Sequence, residues 1–178
     1  MTLLNNGQPM GGIIQVAYTV ANIEEAVRSY AQDLRIGPWF LRGPIQARKP
    51  IYRGVRQDLR LSIAIAYSGH MMIELIQQHD DQPSVYRESF EKNGYGFHHW
   101  GIASDRYDDD FASYLKRGFE PIFTDETPVA TRVAYFDAKR GWPGFIELIE
   151  INSASEARYS KMYAETLLWD GKDAIRKV

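Results

Sequence analysis

The stretch NGYGFHHWGIAS, residues 93–104, sets two adjacent histidines at the start of a run with strand composition. Successive residues of a strand point to opposite faces, so one regular ladder presents His98 and His99 to different sides. Alternation groups His99 with Gly101 and Ala103, against Trp100 and Ile102. Downstream, YDDDFASYLKRG (107–118) has helical spacing and ends on a glycine suited to a helix C-terminus. FEPIFTD, VATRVAYFDAK and GFIELIEI follow as three extended segments, which makes the order β-α-β-β-β.

The same order stands upstream. IIQVAYTV (13–20) reads as a strand. NIEEAVRSYAQDLR (22–35) reads as a helix, with Ile23, Ala26, Val27 and Tyr30 on one side and Asn22 as N-cap. PWFLRG, LRLSIAIAYSG (59–69) and HMMIELIQQ (70–78) are extended. A shift of 84 residues carries Gln15 onto His99, Val27 onto Phe111, Ser29 onto Ser113 and Tyr30 onto Tyr114. Glu74 meets Glu147 at a shift of 73, so the first copy holds eleven extra residues, placed in 42–58. The sequence thus predicts an α+β fold of two tandem βαβββ modules, 13–78 and 96–152, in a cupped mixed sheet with helices outside. The linker 79–95 carries a short helix, 83–92, opened by Pro83. The last segment, 153–178, is helical in period through about Leu168 and is expected to pack outside the modules or across a dimer interface.

Composition narrows the function. With 178 residues, 44% hydrophobic and 25% charged, the chain has the make-up of a folded globular protein. A net charge of −2 with no Lys/Arg-rich run argues against nucleic acid and anionic membrane surfaces as partners. The opening MTLLNNGQPMGG lacks the basic and apolar regions of a signal, and no apolar run is long enough to span a bilayer, so a cytoplasmic location is expected. The absence of cysteine excludes disulfides, thiolate metal sites and cysteine nucleophiles.

Alternation also sorts the candidate site. In 59–67 it separates Arg60, Ser62, Ala64 and Ala66 from Leu59, Leu61, Ile63, Ile65 and Tyr67. The small face is expected to line a cavity and the bulky face to pack on helices. Gln15 and His99 project into that space. Glu74 and Glu147 sit in apolar strands, where an unpaired carboxylate is costly. A lone strand glutamate is more often solvated; the matched placement in two modules favours a shared site. One cation would satisfy all four residues, and one imidazole nitrogen with three oxygens suits Zn, Co, Ni, Mn or Fe. Arg60 and Arg132 are candidate clamps for a substrate carboxylate or phosphate, with a structural ion pair as the other reading. The insert RGPIQARKPIYRGVRQ (42–57) reads as a solvated loop or as a lid contacting an anionic tail. His98 reads as a packing or supporting residue, and His70 as structural.

The segments IIQVAYTVANIEEAVRSY, MMIELIQQHDDQPSVYRESFEKNGYGFHHWGIAS and GFIELIEI resemble the vicinal oxygen chelate superfamily of glyoxalases, bleomycin resistance proteins and dioxygenases. The run from Met71 to Ser104 is most similar to methylmalonyl-CoA epimerases and glyoxalase-like relatives. The resemblance implies a divalent metal held by Gln15, Glu74, His99 and Glu147, with the second histidine of the pair as ligand. It implies a small-molecule substrate with vicinal oxygens, chelated as an enolate after loss of a proton α to a carbonyl. Glu147 is then the expected principal base and Glu74 the second, on opposite faces as an epimerase requires. A homodimer is expected. Gln15 departs from the histidine usual in the epimerases and is similar to some glyoxalase I enzymes, whereas ELIQQHD lacks their segment after the second ligand. The leading expectation is a metal-dependent isomerase, epimerase or lyase. A metal-free small-molecule binding protein of the resistance type is the alternative, and a dioxygenase ranks below both.

Overall fold

The computed structural model of the chain describes residues 2–127, 130–137 and 141–178. Val129, Ala138 and Lys139, at the ends of the expected strand 129–139, lie outside the described residues. The first half holds β1 (Ile13–Thr19), α1 (Ile23–Asp33), β2 (Trp39–Gln46), β3 (Ile51–Tyr52), β4 (Val55–Arg56), β5 (Arg60–Ser68) and β6 (Met71–Gln78). After α2 (Val85–Asn93) come β7 (Gly96–Ser104), α3 (Tyr107–Lys116), β8 (Glu120–Glu126), β9 (Arg132–Asp137) and β10 (Phe145–Glu150). The chain ends with α4 (Ser153–Leu167) and β11 (Ile175–Lys177).

All the strands belong to one mixed sheet, ordered β11-β2-β5-β6-β1-β7-β10-β9-β8-β3-β4. The succession β1-α1-β2-β5-β6 recurs as β7-α3-β8-β9-β10, and the two runs meet where β1 and β7 pair antiparallel. β1 lies parallel to β6 and β7 parallel to β10, as the returning connections require. Asn22 starts α1 by accepting from the Glu25 amide at 3.2 Å. The helix then buries Ile23, Val27 and Ala31 against Ala64, Ala66, Leu75 and Trp39. On the other half, Tyr107, Phe111 and Tyr114 of α3 pack on Ala134, Phe136, Ile146 and Leu148.

That packing corrects the expected faces of β5. Ala64 and Ala66 lie under α1, because a helix approaches a sheet closely where side chains are small. The branched Leu61, Ile63 and Ile65 point the other way and line the cavity.

The insert is a strap. Its hairpin β3–β4 turns through Arg53 and Gly54, both at positive φ (46° and 80°), the conformation a two-residue hairpin loop demands. The chain leaves β2 near one end of the curled sheet, and the hairpin then pairs with β8 near the other. Side chains fasten it: Lys49 donates its amide to Asp125 at 2.7 Å and its Nζ to Glu126 at 2.5 Å. Tyr52 Oη and Arg53 both reach Glu88 of α2, at 2.6 and 2.8 Å.

The C-terminal segment departs from its expected outer position. α4, fixed at its start by the Asn152–Ser155 capping box, sets Tyr159, Met162 and Tyr163 against Phe40, Ile65, Tyr67 and Met72. Ile65 belongs to the cavity-facing side of β5, so α4 covers part of the concave face rather than the back. The apolar positions recur at helical spacing and therefore need a partner surface. β11 then pairs parallel with β2 and covers its edge.

One irregularity decides the geometry of the centre. Ala17 of β1 faces His99, but Tyr18 faces Phe97, so His98 is an extra residue in β7, a bulge. Gly144 leads into β10 at φ +69°, and a Cβ there would stand 2.2 Å from the His98 carbonyl oxygen. Gly144→Ala is expected to lower the unfolding free energy by about 2 kcal/mol or more, measured by urea denaturation. Wild-type stability in that variant would show that the bulge does not depend on this close approach.

Candidate metal centre

Sheet register builds the centre in two adjacent rows. In one, Ile65, Glu74, Ala17, His99 and Phe145 lie side by side across β5, β6, β1, β7 and β10. In the other, Met72, Gln15, Gly101, Glu147 and Tyr135 lie across β6, β1, β7, β10 and β9. Each row separates its two polar residues by one small residue, Ala17 or Gly101. The Gly101 position cannot carry more: a Cβ there would stand 2.8 Å from Gln15 Cβ and 3.1 Å from Gln15 Oε1.

The curl of the sheet brings the side chains together. His99 Nε2 lies 3.0 Å from Glu147 Oε2 and 3.6 Å from Glu74 Oε2. One donor atom from each of Glu74, His99 and Glu147 falls within 4.8 Å of the others. His99 is fully buried, and Glu74 and Glu147 are 8% and 5% exposed. Gln15 stands beside them, hydrogen-bonded to Glu74. Tyr135 is bonded to Glu147 on its other side.

Hydrogen bonds fix the state of His99. The Val85 carbonyl can only accept, so His98 donates to it from Nε2 at 3.2 Å. His98 Nδ1 is then an acceptor, and His99 donates to it from Nδ1 at 2.8 Å. A neutral His99 is left with its Nε2 lone pair aimed at the two carboxylates. With the carboxylates ionised, as metal ligands must be, no hydrogen bond from the described residues satisfies that buried atom. The short approach to Glu147 is not an ion pair. Burial drives the His99 imidazole down to about 3 and the Glu147 carboxyl up to about 8, so neither group favours its charged form. Burial and the neighbouring Glu147 also raise Glu74 well above the usual carboxylate range.

Three buried groups that present lone pairs and resist ionisation fit a cation. A dication would offset both carboxylate charges and engage the orphaned Nε2. His98 serves this arrangement directly, holding the ring of His99 as supporting residues hold metal-ligating histidines. Strict alternation separates the two rings, but the bulge lets them meet, with centroids 5.1 Å apart.

The centre lies at the wall of a cavity of about 100 Å³. The two arginines named from the sequence are not among its lining residues. Arg132 is bound to Glu150 at 2.6 Å and Asp108 at 2.7 Å, over the Tyr107 ring. Arg60 faces away from the cavity and is exposed, because β5 presents Leu61, Ile63 and Ile65 inward. Arg42, Arg48 and Arg158 line the cavity instead. They belong to the insert and the C-terminal segment, outside the repeat that guided the sequence reading.

A model of the Glyoxalase/Bleomycin resistance protein/Dioxygenase superfamily matches residues 14–135. No curated protein matches the chain. Among solved structures, methylmalonyl-CoA epimerase from Mycobacterium tuberculosis is similar at a TM-score of 0.58 and 19% identity, over 88% of this chain and 95% of that one. A methylmalonyl-CoA epimerase from Streptomyces coelicolor, in complex with 2-nitronate-propionyl-CoA, gives 0.57 and 14%, over 82% and 97%. A hypothetical protein from Bacillus halodurans gives 0.58 and 16%, over 80% and 95%. At these identities the likeness establishes the fold.

The raised Glu147 carboxyl predicts a pH effect. Without metal the folded protein holds this proton up to about pH 8, whereas the unfolded chain releases it near 4.5. Its stabilising contribution is full below 4.5 and is lost as pH rises through about 8. Metal-free protein is therefore expected to lose thermal stability between about pH 7 and 8.5, where the histidines are neutral in the folded state and mostly neutral in the unfolded chain. Glu147→Gln should flatten that slope, and a metal ion should oppose it. An unchanged slope in the variant would place the proton elsewhere.

Proposed function

Because the chain belongs to the Glyoxalase/Bleomycin resistance protein/Dioxygenase superfamily, we propose that it is a metal-dependent isomerase or epimerase, or a lyase, acting on a proton α to a carbonyl. The observation that carries this reading is the unpartnered Nε2 of His99 facing Glu74 and Glu147 in a buried pocket. His99 Nε2, one oxygen each of Glu74 and Glu147, and the Gln15 amide oxygen would hold the ion. When bound, a divalent ion of the Zn, Co, Ni, Mn or Fe class would polarise a substrate carbonyl and acidify the adjacent C–H.

The chain's own residues supply the rest. Glu147 is the principal base, taking the α-proton on a carboxylate oxygen. Before any ion is bound, burial already raises this carboxyl to about 8, so the surroundings of Glu147 favour its protonated form. Tyr135 donates to Glu147 and steadies the carboxylate between transfers. Glu74 comes from the other half of the sheet and can return a proton to the opposite face, as epimerisation needs. Ile63, Ile65 and Ile149 make the wall apolar and keep water from the carbanion. A protein that only sequesters a ligand has no use for two buried glutamates, which supports the enzymatic reading.

Exchange of the α-proton tests this. Protein loaded with Mn²⁺ or Co²⁺ is expected to incorporate solvent deuterium at the α-carbon of an accepted acid or thioester, followed by NMR across a panel of such compounds. Glu147→Gln should slow exchange about 100-fold or more while the circular dichroism spectrum stays native. Undiminished exchange in that variant would remove Glu147 as the base. A protein that binds no divalent ion would favour the binding-protein alternative.

A further inference from the structure

Three arginines line the cavity, and with Arg48 paired to Glu126 two cations remain that the centre does not use. Arg42 reaches it from β2 and Arg158 from α4, and both line it together with Glu74 and Glu147. The Arg42 Nε is buried without a hydrogen-bond partner among the described residues. Neither guanidinium forms a salt bridge among the described residues. Other arginines around the cup are committed: Arg48 to Glu126 at 3.7 Å, Arg53 to Glu88 at 2.8 Å, Arg132 to Glu150 at 2.6 Å. Asp125 and Glu126 also line the cavity, but both are engaged by Lys49 of the strap. Both arginines lie in the field of Glu74, outside ion-pair distance of it.

Two like charges sharing a partly buried cavity are costly without a counter-ion. Burial, and then Arg158, lower the affinity of Arg42 for its proton. Helical spacing sets Arg158 on the same face of α4 as Ser155 and Met162, which the helix buries, so this guanidinium is turned toward the cavity. If Glu74 and Glu147 offset a dication, the arginines are left as the net charge of the cavity.

We propose that Arg42 and Arg158 form an oxyanion pocket, so that the substrate is a small acid with a carboxylate or phosphate near its reacting carbonyl. The substrate class rests on the enzymatic reading above; the pocket itself does not. Carboxylate and phosphate share the chemistry that a guanidinium fork recognises. An anion seated there bridges sheet and helix, and so ties α4 over the cavity.

Calorimetric titration of malonate and of inorganic phosphate, with Mn²⁺-loaded and with EDTA-treated protein, tests the pocket. At least one probe is expected to bind both forms, and the tighter one identifies the oxyanion. R42Q and R158Q should each weaken it about tenfold or more, with Mn²⁺ affinity not reduced. R42K and R158K keep the charge and should recover part of the loss, which separates recognition from damage to the fold. Hydrogen exchange across 153–167 should slow with the anion in wild type and not in R158Q. Failure of both probes to bind wild type at millimolar concentration, or undiminished binding by R42Q and R158Q, would overturn the pocket. Malonate binding confined to Mn²⁺-loaded protein and indifferent to both arginines would show chelation alone, overturning the pocket while leaving the metal reading. Arginine-dependent binding in a protein that takes up no Mn²⁺ would uphold the pocket and defeat the metal reading.

Discussion

The centre depends on one relay of hydrogen bonds. The Val85 carbonyl at the start of α2 accepts from His98, and His98 accepts from His99. A backbone carbonyl has no proton to give, so the direction of the relay is set at its first member. The last atom, His99 Nε2, must then present a lone pair to Glu74 and Glu147. Tyr86, Tyr135 and Phe145 surround the His98 ring, which excludes water from the relay.

Much of the rest of the fold can be traced to keeping that arrangement. The bulge at His98 lets two successive rings meet, and Gly144 supplies the space against its carbonyl. Ala17 and Gly101 leave room between the four polar residues. The strap ties β8 and α2 to the first half of the chain, so the helix that supplies Val85 is held from two sides. The electrostatic cost is concentrated at the same place. Burial raises both glutamates and lowers both histidines, so the polar cluster is held close to charge-neutral until a cation enters.

The sequence made the polar quartet legible through symmetry. One shift carried Gln15 onto His99 and another carried Glu74 onto Glu147, and the structure brings these four residues to one place. The difference between the shifts located the insert, where the hairpin β3–β4 lies. Other features left no such trace. Alternation along β5 shows which residues share a face but not which face turns inward, so Ala64 and Leu61 exchanged their expected places. A bulge breaks period two at a single residue, and nothing in GFHHWG marks it apart from the paired histidines themselves. Arg42 and Arg158 lie in the insert and the C-terminal segment, where no counterpart in the other half could draw notice to them.

The central claim is that the His99 lone pair and the two glutamates await a cation. Crystals grown with Mn²⁺ or Zn²⁺, measured on both sides of the metal absorption edge, test it directly. The account predicts one strong anomalous peak in the cavity, about 2.1 Å from His99 Nε2 and within coordination distance of an oxygen from each of Glu74 and Glu147. A cavity without such a peak, or a metal bound elsewhere while His99 Nε2 stays unligated, would contradict it.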